Sequence, residues 1–455
     1  MNIAIDERRI KALNDKNVQN GSYVLYWMQS SVRTKYNFAL DYAKKMALLY
    51  DKPLVVCFGI DTNYPESNKR HLVFLLEGLK EVQSDLNDQN ITTAFKHESP
   101  DSFVLKAGKS ASAVVTDCGY LKLHKKWRIN VAEGLKCPLI QVESDVVVPV
   151  YEASDKEEWS AATLRKKINQ KLPLFLHEYN DCKAEIKQYN SGNLTEYNDI
   201  SDIEKLLITS DVKNDVKPSK YYKGGYSNAN SLLNDFITKK LDKYQEERND
   251  PHKNIQSDMS PYLHFGQISP IEIAIKIIHS GFFNPDDYLE QLIVRRELAI
   301  NFAVFNQNYD SYKGLPKWCT DTLNNHRFDK REYIYHINEL ESADTHDEYW
   351  NASQNEMKIT GKMHGYMRMY WGKKIIEWSE SPESAFETAV YLNNKYSLDG
   401  RDPNSYAGIS WCFGKHDRAW KEREIFGKIR YMNAKGLERK FEIGKYVKRI
   451  HNLKS

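Results

Sequence analysis

The sequence predicts a two-part chain, an α/β domain built on a parallel sheet followed by a mostly α-helical domain. Three observations carry this. Over residues 1–150, short β-rich runs alternate with helical patterns. Residues 151–215 are polar and irregular, with charge runs at 155–158 and 211–217, and read as a connector that is partly helical near 161–171. From 216 to 455, helical periodicity dominates, punctuated by Gly, Pro and Asn turns.

The strands expected in the first part are 23–28, 53–58, 91–96, 113–117 and 139–142. The helices expected between them are 33–49, 68–86, 101–106 and 125–133. Alternation of this kind places helices on both faces of a parallel sheet. There is no GxGxxG fingerprint, so nothing here says that this part holds a dinucleotide. A purely structural domain gives the same pattern.

Composition narrows the class. A chain of 455 residues, 41% hydrophobic and 28% charged, suits a globular protein of two or three domains with a real core. Its 29 Tyr and 9 Trp invite a search for stacking surfaces or a redox chain. A net charge of only +3 means that any nucleic-acid site must come from local segregation of charge. Such segregation exists: residues 411–455 hold 13 Lys/Arg against 5 Asp/Glu, a balance of +8. Alone, such a run is a solvated helix face. The interleaved Trp411, Phe413, Trp420, Phe426 and Tyr431 turn the reading toward a DNA-facing surface.

The six cysteines show no CxxC pair and no metal-ligand spacing, which reads as reduced intracellular thiols and no metal site. The N-terminal residues lack a signal-peptide core, and no apolar run reaches 18 residues. A soluble intracellular protein is expected, in the cytoplasm, or in the nucleus of a eukaryote.

Several segments carry chemistry. In 257–269, SDMSPYLHFGQIS, Ser260 before Pro261 reads as an N-cap followed by Pro at the first helical position. A helix start with free N–H groups and hydroxyls is an anion site, or simply a cap. Arg368 in HGYMRMYWGKK and Asp399 in DGRDPN offer a cation and a carboxylate that pair, at the least, as an interhelical salt bridge. Trp371 and Trp378 stand two helical turns apart, about 10 Å along one face, and Trp350 precedes them. Core packing is the plain reading of three such residues, an electron-hopping series the sharper one. The segment 414–433, GKHDRAWKEREIFGKIRYMN, offers cations for phosphates and indole planes for stacking.

Together, 414–433 and YLEQLIVRRELAINF at 288–302 resemble the two signature segments of class II cyclobutane pyrimidine dimer photolyases. These flavoproteins use light to repair ultraviolet damage in DNA. The resemblance covers most of the chain and is sharpest over 224–433, and GSYVLYWMQ at 21–29 resembles the family's opening strand. It implies a Rossmann-like antenna domain joined to an α-helical FAD domain, with reduced anionic FAD as the active cofactor.

The resemblance also assigns residues. Ser257, Met259 and Ser260 would contact FAD, Arg368 and Asp399 would lie against its ring system with Asp402 nearby, and Asn393 would face the central-ring nitrogen. Trp371, Trp350 and Trp378 would carry electrons inward, Trp371 nearest the flavin. A dimer flipped out of the duplex would meet Met369 and Trp411 as walls and Glu290 as a polar partner. Arg418 and Arg430 would contact phosphates or fill the gap the dimer leaves. Two positions depart from the family pattern: Asp258 stands where Asn is common, and Gln291 where a second carboxylate follows Glu290.

The expected partner is dimer-containing DNA, met by a monomer without membrane association. A second, light-harvesting chromophore of deazaflavin or folate type suits the α/β domain, its identity being left open by the sequence. A cryptochrome-like photoreceptor would keep FAD and the tryptophans but alter the substrate pocket. A DNA-binding module with a vestigial flavin site would have lost them. The presence of Trp411 and Met369, beside Arg368, Asp399, Asn393 and all three tryptophans, favours repair.

Overall fold

The computed structural model describes residues 5–189, 212–282 and 285–453, together with Leu194, Ile200 and Leu207. The remaining positions of the expected connector lie outside the described residues. Six strands form one sheet: β1 (Ile10–Ala12), β2 (Tyr23–Trp27), β3 (Leu54–Gly59), β4 (Thr92–Lys96), β5 (Ala111–Thr116) and β6 (Leu139–Val142). Their order is β1-β6-β5-β2-β3-β4. All neighbours run parallel except β1, which lies antiparallel to β6 with Ile10 opposite Val142.

The three central strands β2, β3 and β5 are buried at every residue, as a sheet covered on both faces requires. Helices α1 (Phe38–Leu49), α2 (Lys69–Asn87), α3 (Pro100–Ala107) and α4 (Lys122–Gly134) supply the cover. The edge strand β1 was not expected, because three residues are too few to show alternation. Helix α1 begins at Phe38, not near 33. Asn37 caps it, its side chain accepting from Leu40 N, while Arg33 is drawn away to Asp145, Ser144 O and Gly266 O.

Beyond the sheet the chain is helical, beginning with Val150–Ala153 and Ala161–Phe175. Helices from Tyr226–Lys239 to Ile443–His451 make up the second part. Glu348–Thr360 starts where Asp347 accepts from Tyr349 N and Trp350 N, and stops at Gly361, whose φ is +87°. Pro403–Cys412 starts where Asp402 accepts from Asn404 N.

The two parts interlock through buried polar groups. Arg70 of α2, 3% exposed, donates to the carbonyls of Lys217, Met357, Lys358 and Tyr396. Glu297 accepts from Val147 N at 2.6 Å, and burial pushes its carboxyl up to about 7. At Gly266, with φ +64°, a Cβ would stand 1.8 Å from Ser30 O, so only glycine allows this close approach between the sheet domain and the helices. Among the described residues, no helix is long and apolar enough to cross a membrane.

Candidate active site

Arg368 projects from helix Gly365–Trp378 and meets Asp399, in the turn after helix Pro382–Tyr396, with Nη2 2.7 Å from Oδ1 and 2.8 Å from Oδ2. Burial alone would raise the Asp399 carboxyl. The Arg368 charge and hydrogen bonds from Ser260 and Arg368 outweigh it and hold the group below the usual carboxylate range. Asp402, three residues on, caps the next helix with one oxygen and lies 3.2 Å from His264 Nδ1 with the other.

Two cavities meet at this pair, sharing Met363, Gly365, Arg368, Asn404 and Ser405. One, of about 420 Å³, is lined by Ser257, Met259, Ser260, Asp399 and Asp402 among others. The other, of about 220 Å³, is lined by Met369, Trp371, Asn393 and Trp411 among others. Ten residues proposed from the sequence thus share one continuous region. A Cβ at Gly365 or Gly408 would meet no atom within 4 Å, so both glycines leave cavity wall bare. Hydroxyls and a cation on one side, and indole and thioether surface on the other, fit a ligand that is polar at one end and flat at the other. The residues present therefore fit a flavin dinucleotide.

Local geometry departs from expectation at two places. Ser260 is the first residue of a five-residue helix, Ser260–His264, with Met259 at the cap position and no side-chain cap bond. The serine that does cap a helix is Ser269, ahead of Pro270–His279, where its side chain accepts from Ile271 N. Glu290 lines neither cavity. Its carboxylate accepts from Arg165 Nε at 2.9 Å, Arg165 Nη2 at 2.7 Å and Arg295 Nε at 3.0 Å, so its oxygens are engaged by two cations away from both cavities. Gln291, its neighbour, lines the larger cavity instead. Residues 290–295 form a π-helical turn, which aims adjacent side chains away from the α-helical register.

The other departure in sequence, Asp258, has φ +58°, a conformation that Asn and Asp adopt more readily than other side chains. Its carboxylate pairs with Lys362 at 2.6 Å, a contact an amide would make only as a weaker hydrogen bond.

The tryptophans form a contact series whose order differs from sequence order. Trp350 lies between Trp371, at 6.4 Å with planes 6° apart, and Trp378, at 5.7 Å and 66°. Trp371 Nε1 donates to Gln354 Oε1 and Trp350 Nε1 to Trp371 O, which fixes both ring planes. Trp371 reaches the smaller cavity, while Trp378 borders an open groove on the far side.

Outward from Trp411 runs a ladder of alternating cations and indoles. Lys373 and Arg430 each lie 5.3 Å from the Trp411 ring centre, Arg430 lies 4.2 Å from Trp420, and Arg418 lies 5.3 Å from Trp420. Asp417 accepts from Arg430 Nε at 2.9 Å and holds it in place. Lys373 is fully buried, donates to Cys412 O, and is pushed down to about 8 by burial. Lys373, Trp420 and Gln291 were not singled out as site residues from the sequence. Trp420 carried a signal in its place within 414–433, whereas a lysine on a helix otherwise reads as solvent-facing.

A third cavity opens beside Trp27, at the carboxyl end of β2, and is lined also by His124, His264 and Arg401. Four buried polar atoms on its wall, Trp27 Nε1, Ser30 Oγ, His124 Nδ1 and Arg401 Nε, have no hydrogen-bond partner among the described residues. The carboxyl ends of parallel strands are where such sheets bind ligands, a rule that could have flagged the place.

A mostly parallel α/β sheet domain and a helical domain with two adjoining cavities, one of them reached by Trp371 at the end of a tryptophan series, define a protein of the photolyase and cryptochrome superfamily. The DNA photolyase family model matches residues 24–184. A deoxyribodipyrimidine photo-lyase of Methanothermobacter thermautotrophicus is 49% identical over 99% of both chains. Proteins of the same name from Potorous tridactylus and Arabidopsis thaliana are 37% and 38% identical, over 98% and 95% of this chain and 85% and 89% of theirs. The chain belongs to the DNA photolyase family.

Solved structures agree on the fold. The archaeal photolyase of Sulfolobus tokodaii with two FAD molecules superposes with a TM-score of 0.70 at 14% identity, over 94% of this chain and 89% of its own. A class III photolyase of Agrobacterium tumefaciens gives 0.70 at 16% identity, over 95% and 87%.

Proposed function

We propose that this chain is a class II photolyase that repairs cyclobutane pyrimidine dimers in DNA. The observation that carries the reading is that Trp371, the inner end of the indole series, and Trp411, on the basic face, line the same cavity. Electron supply and substrate thus meet at one place. Full-length relatives named deoxyribodipyrimidine photo-lyase support the same activity.

Ser257, Met259 and Ser260 would hold the dinucleotide portion of FAD, and Arg368, Asp399, Asp402 and Asn393 its ring system. FAD held by these residues would supply, in its reduced and light-excited form, the electron for opening the two cyclobutane bonds and would take it back. Asp399 orients the Arg368 guanidinium beside the ring site, and a cation there favours an anionic cofactor. Asn393 is 5% exposed and ties Ser405 Oγ and Ser397 Oγ to its amide, which orients it.

On the substrate side, a flipped dimer would stack against Trp411 and Met369, with Gln291 in the polar place expected for Glu290. Arg418 and Arg430 would take the phosphates flanking it. The protein acts on DNA as a monomer. The cavity beside Trp27, with its four orphaned polar atoms, is the candidate seat for a second chromophore.

The test is a titration of flavin-loaded protein with a thymine-dimer oligonucleotide and its undamaged counterpart. Trp411→Ala is expected to weaken dimer binding by roughly ten-fold, the loss of one stacking plane, and to spare the undamaged strand. Equal weakening for both oligonucleotides, or none, would overturn the placement of the dimer.

A further inference from the structure

Two indoles line the smaller cavity, Trp371 and Trp411, and their surroundings differ in charge. Trp371 lies nearly parallel to Trp350, with ring centres 6.4 Å apart, and its Nε1 donates to the neutral Gln354 side chain. Among the described residues, no cation lies over either of these two rings. Lys374 stands 5.5 Å from the ring centre of the outer Trp378, but Glu377 holds that ammonium at 2.7 Å and balances it. Trp411 has the opposite setting. Lys373 and Arg430 both lie over its ring, each 5.3 Å from the centre. Arg430 also covers Trp420 at 4.2 Å, so these two indoles meet through a cation and not ring to ring.

Lys373 is the uncompensated cation of the pair. Arg430 is bound by Asp417 at 2.9 Å. The Lys373 ammonium is fully buried, donates to Cys412 O, and has no ion-pair partner among the described residues. Burial pushes it down to about 8, which leaves it cationic at neutral pH. A buried charge without a counter-ion costs stability, and an apolar side chain of similar length would support the indole as well. Packing therefore does not account for the ammonium. Its charge has a consequence for the ring it faces. A cation is attracted to the electron-rich face of an indole and repelled once that ring has lost an electron.

We propose that Lys373, acting through Trp411, is a positioning residue for electron flow. With Arg430 it makes Trp411 hard to oxidise, so that light-excited oxidised flavin draws its electron from Trp371 and not from the substrate wall. The inference rests on the reading that FAD occupies these cavities and that Trp371, Trp350 and Trp378 carry electrons inward. A positive charge gained by Trp371 passes to Trp350, a ring in contact and without a cation over it. Were Trp411 oxidised instead, one electron would leave its indole for the flavin, and the radical cation left behind would face two fixed positive charges. The arrangement thus leads the oxidised site away from the DNA-facing ladder and keeps the dimer's stacking plane intact.

The experiment uses the oxidised, FAD-loaded full chain and reads tryptophan radicals by transient absorption after a laser flash. The quantity measured is the part of the signal that Trp411→Phe removes, which assigns it to Trp411 whatever other donors contribute. In a Trp371→Phe background this part should be small at neutral pH. Adding Lys373→Met should raise it on the order of ten-fold, the weight of one desolvated cation over an indole. Raising the pH through about 8, where Lys373 loses its proton, should give a similar rise with Lys373 in place. The groups that face Lys373 keep their charge over that range. Asp417 is held below the usual carboxylate range, Arg430 stays cationic as arginines do, and burial raises the Cys412 and Cys319 thiols to about 11 and about 12. Lys373→Met should abolish the pH dependence, which a role confined to packing would never produce. A large Trp411 signal in Trp371→Phe at neutral pH, or no gain on Lys373→Met or on raising the pH, would overturn the proposal. Wild-type photoreduction in Trp371→Phe would sink the indole series instead, while the Trp411 difference would still decide the part played by Lys373.

Discussion

Trp371 and Trp411 stand on different helices, Gly365–Trp378 and Pro403–Cys412, yet form walls of one cavity. Trp371 continues inward-facing contacts to Trp350, and Trp411 continues outward to Arg430 and Trp420. In the proposed function the cavity joins a redox series to a DNA-facing ladder, and each half predicts its own failures.

Breaking the redox series at its middle should be most damaging. Trp350 is the ring in contact with both Trp371 and Trp378, so Trp350→Phe removes the indole from both gaps at once. Light-driven flavin reduction, followed by absorbance in the presence of a thiol, should fail in this variant. Reduction at the wild-type rate would mean that electrons take another route.

The Arg368–Asp399 pair should show in acid. Asp399 is held below its ordinary range when folded, so its contribution to stability is complete above the unfolded carboxylate pKa. It is lost as pH falls through the lower, folded value. Asp399→Asn should lower stability by about 3 kcal/mol near neutrality, by breaking a largely buried pair. It should also flatten the acid limb of the thermal melting profile below about pH 4, where the unfolded carboxylate takes up its proton.

Lys373 predicts the opposite limb. Burial lowers it from 10.5 to about 8, so between these values the unfolded chain binds more protons than the folded one. Its contribution to stability therefore rises with pH across that window. Lys373→Met, which keeps the length of the side chain, should remove this rise in a urea-unfolding series. A rise of unchanged size would assign it to other groups.

Adjacent residues on the π-helical turn should behave differently. Glu290→Gln loses partly exposed ion pairs to Arg165 and Arg295, worth at most about 1 kcal/mol of stability. It should leave dimer affinity alone, whereas Gln291→Ala should weaken it. Reversal of the two effects in a binding titration would return the substrate role to Glu290.

The basic ladder should respond to salt. Arg418 is exposed and its guanidinium lies over Trp420 without a carboxylate partner among the described residues, so Arg418→Ala should lower the slope of log affinity against log salt by about 0.9. Arg430→Ala should do this and also loosen Trp411, because Arg430 packs against both indoles.

How much of this was legible in the sequence depends on the scale of the feature. The five parallel strands stood out because buried strands such as β2 and β3 are continuous apolar runs between turn residues. Strand β1 has three residues at an edge and no pattern to read. Arg368, Asp399 and Asn393 were reached through motif resemblance, since residues far apart in sequence carry no sign that they will meet. Glu290 and Gln291 could not be told apart, because a π-helical turn changes which neighbour faces inward. The place of Trp350 between Trp371 and Trp378 is a property of packing between two helices, and the spacing within one helix does not contain it.

The central claim is tested most directly by giving chemically reduced, FAD-loaded protein a thymine-dimer oligonucleotide, in blue light and in darkness. The account predicts that the ultraviolet absorbance of the restored bases returns in light only. Absence of recovery in light, with FAD bound and reduced, would contradict it and leave a photoreceptor in its place.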